Sequence, residues 1–338
     1  MVGFRVGQNG EPTEMRLITL GTQAGPAIRG KETGIASAVV VGDSFYMVDF
    51  GLGCTRAAYQ AGLRGRRFRA GFITHLHSDH IVELAGFLLW NWGQQVEGFV
   101  DPVQLFGPGA DPEEPDRGSA AGTSNMVRHF LNAFSYDLRI RVDDESRPPL
   151  EDLISTQDIT PTLQSYVERS PFAVFEDDRI RVTGILVDHP PVQPALAFRI
   201  ESESGSVTFS GDTAESEALA RLAQGTDILV HEAVNLDFYT TQDFNEAFFT
   251  HQQQSHTTPE GAGRIASAAG AHRLVLSHLA GAATADWWHD RAASTFGGAI
   301  SVATSGQVFE IPQARSPGGA KAESVGNCAK ATGFSSLR

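Results

Sequence analysis

Residues 74 to 80 read Thr-His-Leu-His-Ser-Asp-His, which crowds three of the chain's 11 histidines around one aspartate. Imidazoles packed this closely leave polar nitrogens unpaired in a core and have no evident use on a surface, so the cluster demands a fold that aims it at a cation. The residues before it, RAGFITH (69–75), have the β-branched and aromatic character of a strand, and those after it, IVELAGFLLWNW, read as a helix. His75 and His77 are two apart in an extended turn and can face one ion. Asp79 and His80 fall where the helix begins. The motif therefore supplies two pairs of donors, enough to begin two metal sites.

Other strand-like segments also end in metal-capable side chains. RIRVTGILVDH (179–189) ends in His189, SVTFSGD (206–212) in Asp212 and HRLVLSH (272–278) in His278. Strand ends in a layered sheet share an edge where loops converge, so these residues can join the histidine cluster. With MRLITLG (15–21), ASAVVVG and SFYMVDFG (36–51) and DILVHEA (227–233) as further strands, and helices expected at 80–92, 124–135, 214–223, 258–269 and 286–295, the pattern predicts an α/β or layered α+β body. The stretch 107–122 reads as a loop and 150–165 as an irregular insertion. The division expected is an extension over 1–14, one catalytic domain over 15–313 and a disordered tail over 314–338.

Composition decides which donors are available. Cysteine occurs only at Cys54 and Cys328, which argues against a thiolate zinc site or a disulfide framework and leaves imidazole and carboxylate. The set divides into His75, His77 and His189 for one ion and Asp79, His80 and His278 for a second, with Asp212 bridging. Zinc accepts such ligands, with manganese or iron(II) as alternatives, and a metal pair about 3.5–4 Å apart lowers the pKa of the water between them. Taken singly, His189 in VDHPP reads equally as a turn histidine and Asp212 in SGDT as a helix N-cap. His129, His272 and His289, isolated in the sequence, read as ordinary solvated or hydrogen-bonded side chains.

The formal net charge of -14 gives no long-range attraction for nucleic acid or anionic lipid. No apolar run reaches the roughly 18 residues that span a bilayer, and residues 1–15 carry no apolar signal-peptide core, so a cytoplasmic protein without a membrane partner is expected.

These pieces together resemble the metallo-β-lactamase-fold hydrolases, within them the branch of ribonuclease Z and the arylsulfatase-like enzymes. The matching segments are ITLGTQAGP (18–26) with Arg29, VDFG (48–51), THLHSDH, FGPG (106–109), VDHP, FSGDT, LVHEA, SHTTPEGAGRIA (255–266) and LVLSHL (274–279). The resemblance implies a four-layer αββα sandwich, a dinuclear centre with the ligands just named, Asp49 supporting a ligand histidine, and a homodimer. It also implies a proton-handling pair, His256 as donor to the leaving group and Glu232 orienting it, which with Asp79 makes up the expected catalytic residues. His231 and His251 lie in the same motifs without an assigned role.

Within that branch, two features favour a small ester, a phosphodiester or aryl sulfate, attacked by the hydroxide between the metals. Only 22 residues (190–211) separate His189 from Asp212, too few for a protruding basic arm, and the densest basic run is the short RGRRFR at 64–69. Nucleic acid is therefore not the expected partner. Trp90, Trp92 and Phe198 are candidates to line an apolar pocket, with core packing the competing use for each. A tRNA 3′-processing ribonuclease Z activity and a lactonase or β-lactamase activity are the alternative readings.

Overall fold

The computed structural model describes residues 13–110 and 122–311. The predicted tail, most of the extension over 1–14 and positions 111–121 of the predicted loop lie outside the described residues. In the first half the strands are β1 (Met15–Gly21), β2 (Ala36–Val41), β3 (Ser44–Val48), β4 (Phe68–Phe72), β5 (Val103–Pro108) and β6 (Ile154–Ile159). The second half supplies β7 (Phe172–Glu176), β8 (Arg181–Leu186), β9 (Leu196–Ser202), β10 (Gly205–Phe209), β11 (Ile228–Val234), β12 (Arg273–Ala280) and β13 (Ala299–Val302), after which β14 (Gln307–Glu310) returns to the first.

They form two seven-stranded sheets, ordered β14-β1-β2-β3-β4-β5-β6 and β13-β12-β11-β10-β9-β8-β7. Each sheet is mixed in the same way. From β14 to β3 the pairings are antiparallel and from β3 to β6 parallel. From β7 to β10 they are antiparallel and from β10 to β13 parallel. Antiparallel strands can be joined by tight turns, whereas parallel ones need crossovers, and the helices fill that role on the outer faces.

Both faces of the sheets are covered, which is why strands such as AVVV read as unbroken apolar runs. In β2, Val39 and Val41 point into the core between the sheets, while Ala38 and Val40 pack beneath the outer helices. Helices Cys54–Gln60, Leu84–Trp90 and Thr123–Ala133 cover the first sheet, and Glu217–Leu222, Pro259–Ala269 and Ala285–Ala293 the second. The Pro259–Ala269 helix starts at Thr258, whose side chain accepts from Gly261 N–H, has Pro259 in its first turn and stops at Gly270 with φ 60°. The result is the four-layer αββα sandwich. Among the described residues no helix is long and apolar enough to cross a membrane.

Several local expectations change. The helix expected over 80–92 is two pieces, Ser78–Ile81 and Leu84–Trp90, because the backbone turns after the histidine motif to bring Glu83 onto the N–H groups of Gly53 and Thr55. The stretch 150–165 is ordered: a short helix, Leu150–Leu153, leads into β6, whose polar alternation ISTQDI suits an edge strand. Trp92 and Phe198 are fully buried and line no pocket. Trp92 packs under the first sheet with its Nε1–H donating to the Pro148 carbonyl at 2.8 Å, and Phe198 sits between the sheets. Trp90 is 76% exposed but lies on the outer helix layer, in a groove with Tyr59, Arg64 and Val96, away from the histidine cluster.

Candidate metal centre

The end of β4 and the ends of β8, β10 and β12 meet where the two halves of the molecule face each other. Two backbone devices lock them together. Leu196 N–H on β9 donates to the Thr74 carbonyl at 2.9 Å, joining the second half to the histidine motif. Gly211, with φ 59°, lies so close that a Cβ would stand 2.5 Å from the Leu196 carbonyl and 3.1 Å from Thr74 Cβ, so the turn that presents Asp212 requires glycine.

Around this junction two groups hold the expected ligands, His75, His77, His189 and Asp212 in one, Asp79, His80 and His278 in the other, with donor atoms within 4.8 Å of one another inside each group; His189 with His251 and His256, and Asp212 with His256 and His278, come equally close. Asp212 reaches both: its Oδ2 is 3.8 Å from His75 Nε2, 3.9 Å from His189 Nε2 and 3.2 Å from His278 Nε2, and its Oδ1 is 3.4 Å from His80 Nε2. His189 Nε2 and His77 Nδ1 approach to 3.3 Å, and the Nε2 atoms of His80 and His278 to 3.2 Å. All seven sequence-predicted ligands are thus brought together.

The hydrogen bonds fix how the rings present themselves. His189 Nδ1–H donates to the Ser255 carbonyl at 2.8 Å and His80 Nδ1–H to Asp49 Oδ2 at 2.8 Å, so in each ring Nε2 points inward and is the bare nitrogen whenever the ring is neutral. Buried His75 Nε2 and Asp212 Oδ1 have no hydrogen-bond partner. Bare nitrogens and a carboxylate oxygen converging in a buried space are all acceptors, which repel unless a cation stands among them. The residues therefore fit divalent metal ions.

Asp49, expected to support a ligand histidine, also accepts from Thr74 N–H at 2.8 Å and Thr74 Oγ1–H at 2.9 Å. Its φ of 61° and the 45° of His278 lie in the left-handed region, a strain of about 1–3 kcal/mol each that the surrounding contacts hold in place. Gly25 N–H donates to Asp79 Oδ2 at 2.9 Å, tying the loop after β1 to the motif. Thr74, Gly25 and the Ser255 carbonyl were not anticipated as part of the site. Two of them act through backbone atoms, which residue identity does not advertise.

Electrostatics follow the same layout. Burial pushes His75 well below the ordinary histidine range and His189 down to about 4, favouring neutral, ligating rings. At His80 burial acts in the same direction, but Asp212 and Asp49 together outweigh it and hold the ring well above the usual value. Asp79 is held below the carboxylate range: burial opposes ionisation there, and His278 with His80 overcomes it.

On the open side of this cluster, His256 Nδ1 lies 3.0 Å from both oxygens of buried Glu232. Glu232 Oε1 also accepts from Thr213 N–H at 2.7 Å. Burial lowers the His256 pKa, yet the adjacent carboxylate wins and raises it to about 9. His251 stands beside this pair, half-buried, whereas His231 is fully buried behind Glu232, its Nδ1–H bonded to the Glu232 carbonyl. A cleft of about 620 Å³ lined by Gln23, Lys31, Leu52, Arg56 and Asp79 opens from the Asp79 side.

Comparison with known proteins bears on the family and the fold. The family model described as a β-lactamase superfamily domain matches residues 127–279, a span that holds His189, Asp212, Glu232, His256 and His278. A ribonuclease Z of Mycobacterium sp. (strain KMS) is 30% identical over 292 residues, covering 82% of this chain and 90% of that protein. In structure, the metallo-β-lactamase fold protein YhfI of Bacillus subtilis aligns with TM-score 0.63 at 19% identity, over 88% of this chain and 99% of that one. The short form of human tRNase Z aligns with TM-score 0.58 at 20% identity, again over 88% and 99%. These relatives run against the expectation that nucleic acid is not a partner, which rested on net charge and a missing arm. The chain belongs to the ribonuclease Z branch of the metallo-β-lactamase-fold hydrolases, enzymes that act on ester bonds with divalent metal ions.

Proposed function

We propose that the chain is a metal-dependent ribonuclease of the ribonuclease Z type. The observation that carries the substrate class is the 30% identity to a ribonuclease Z along 90% of that protein's length. His75, His77 and His189 would hold one ion and Asp79, His80 and His278 a second, with Asp212 shared. Zinc suits this mixture of imidazole and carboxylate, and manganese or iron(II) is compatible with the same donors. When bound, the ions supply an activated water and offset charge gathering on the phosphoryl group.

The chain's own residues do the rest. Asp49 and the Ser255 carbonyl hold His80 and His189 in the tautomer that keeps Nε2 free. Glu232 keeps His256 protonated and its Nδ1 occupied, so Nε2–H is the atom that donates. In the net reaction water is divided across the P–O3′ bond: its hydroxyl goes to phosphorus, the departing 3′ oxygen takes a proton from His256, and the water's remaining proton restores His256. Such a positioned acid typically contributes about 10²- to 10⁴-fold.

A second reading, hydrolysis of a small phosphodiester or aryl ester, is favoured by one group of contacts. The 189–212 crossover is simply β9 and β10 joined through 203–204, and the arginines of RGRRFR are engaged by the protein itself: Arg64 and Arg66 bond Glu97, and Arg67 the carbonyls of Gly42 and Asp43. The discriminating experiment offers metal-loaded protein a pre-tRNA with a 3′ trailer and an activated aryl phosphodiester at about 0.15 M salt, where exposed charges act over about 8 Å. Cleavage of the pre-tRNA at its 3′ end is expected. Turnover of the aryl ester alone would overturn the ribonuclease reading in favour of the small-ester one.

A further inference from the structure

His251 is not among the seven expected ligands and does not bond the Glu232–His256 pair, yet a ring nitrogen of it lies within 4.8 Å of nitrogens of His189 and His256, so it forms a wall of the same site. Its ring centroid lies 5.5 Å from that of His256, 5.6 Å from His189 and 6.4 Å from His77. It is carried by the helix Glu246–Ser255, which Asn245 caps by accepting from Phe248 N–H.

The tautomer of His251 is set by the chain. Ser255 has a single hydroxyl hydrogen, which it donates to the Pro190 carbonyl, so its oxygen can only accept from His251 Nδ1, 3.1 Å away. Nδ1 therefore carries the proton, and Nε2 is left as an acceptor on a half-buried ring beside the proton donor. A phosphate oxygen has no hydrogen to offer such a nitrogen; a hydroxyl does. In a ribonucleotide, the oxygen that leaves toward His256 is O3′, and its nearest neighbour on the sugar is the 2′-hydroxyl. A ring one imidazole's width from His256 is placed to accept from that group. One turn earlier on the same helix face, Phe248 is 38% exposed and its ring lies 4.9 Å from that of Phe244, itself 43% exposed, and 5.7 Å from Tyr239. Exposed aromatic rings beside a sugar site are what a nucleobase stacks on.

We infer that His251 reads the 2′-hydroxyl of the nucleotide carrying the leaving oxygen, with Phe248 stacking that nucleotide's base. The inference rests on the ribonuclease reading and narrows it, since the 2′-hydroxyl is what separates RNA from DNA at a site.

The test uses two pre-tRNAs that differ only at the nucleotide 5′ to the cleaved phosphate, ribo in one and 2′-deoxy in the other. For the unaltered protein the ribo substrate should have the higher kcat/KM. In His251→Ala the ribo-to-deoxy ratio should fall by about 3- to 10-fold, the range of one neutral hydrogen bond, with the bound-metal content equal to that of the parent protein. Phe248→Ala should keep the ratio and raise KM about five-fold or more for both substrates. An unchanged ratio in His251→Ala overturns the assignment while leaving the ribonuclease reading intact. Loss of metal in that variant also overturns it, making His251 a ligand. Failure of the unaltered protein to cleave either RNA removes the ribonuclease reading and this assignment with it.

Discussion

Asp212 and His256 stand a few ångströms apart and should fail in different ways when removed. Asp212 carries a carboxylate that reaches both donor groups, so Asp212→Ala should lose bound metal and activity together. His256 is linked to Glu232, so His256→Ala should keep its metal and lose the proton for the departing oxygen. Leaving groups that need little protonation then suffer least: a nitrophenyl ester should retain at least tenfold more of its kcat than an alkyl ester, and equal losses on both would remove His256 from that role. The pH profile carries the sign of the Glu232 contact. With the His256 pKa raised to about 9, its protonated form persists below that value and the activity it supports declines as pH rises through it. In Glu232→Gln the largest raising charge is gone and burial is opposed only by Asp212, so the alkaline limb of kcat should move to lower pH; a limb that stays in place would mean that another group titrates there. At this scale the sequence was highly legible. A ligand histidine is recognisable by its type and spacing, whereas the carbonyl of Ser255 and the N–H of Gly25 carry no such mark, and Ser255 falls at a helix end whose position only the tertiary structure fixes.

Strand ends were readable because each is an apolar run cut off by a polar donor, as in GFITH and LVLSH. Beyond β1 and β2, whose apolar runs are plain without it, strands that lack that punctuation were harder to read. Residues 154–159 look like loop by composition, since only an edge position beside β5 allows a polar strand, and residues 196–202 give no sign by themselves that Phe198 faces the opposite sheet. Aromatic residues near a site motif were equally ambiguous, because period and burial decide whether Trp92 lines a pocket or a core. The inter-sheet layer is where the energetic consequence is largest. Phe72, on the strand that carries the histidine motif, packs against Phe106 at 5.5 Å and against Phe175 and Phe198 at 5.8 Å. Phe72→Ala should cost about 3–5 kcal/mol of unfolding free energy, read from denaturant curves of the metal-free protein. A loss under about 1 kcal/mol would mean that the two sheets do not depend on that contact.

At the scale of the whole molecule, the two halves repeat one plan, three antiparallel pairings followed by three parallel ones, and the proposed ligands come from both. Neither half alone offers a complete set: the first contributes His75, His77, Asp79 and His80, the second His189, Asp212 and His278. No repeat was visible in the sequence because the shared feature is topology rather than residue identity. Overall charge was the least informative global quantity, since a net charge of -14 describes the field at a distance and not the surface around one cleft. The central claim is that these seven side chains form a two-metal hydrolytic centre, and titration of metal-free protein with zinc, following bound metal by elemental analysis and phosphodiesterase activity in parallel, tests it most directly. Saturation is expected at about two ions per chain, with most activity appearing as the second is bound. Saturation at one ion with full activity, or activity indifferent to metal, would contradict it.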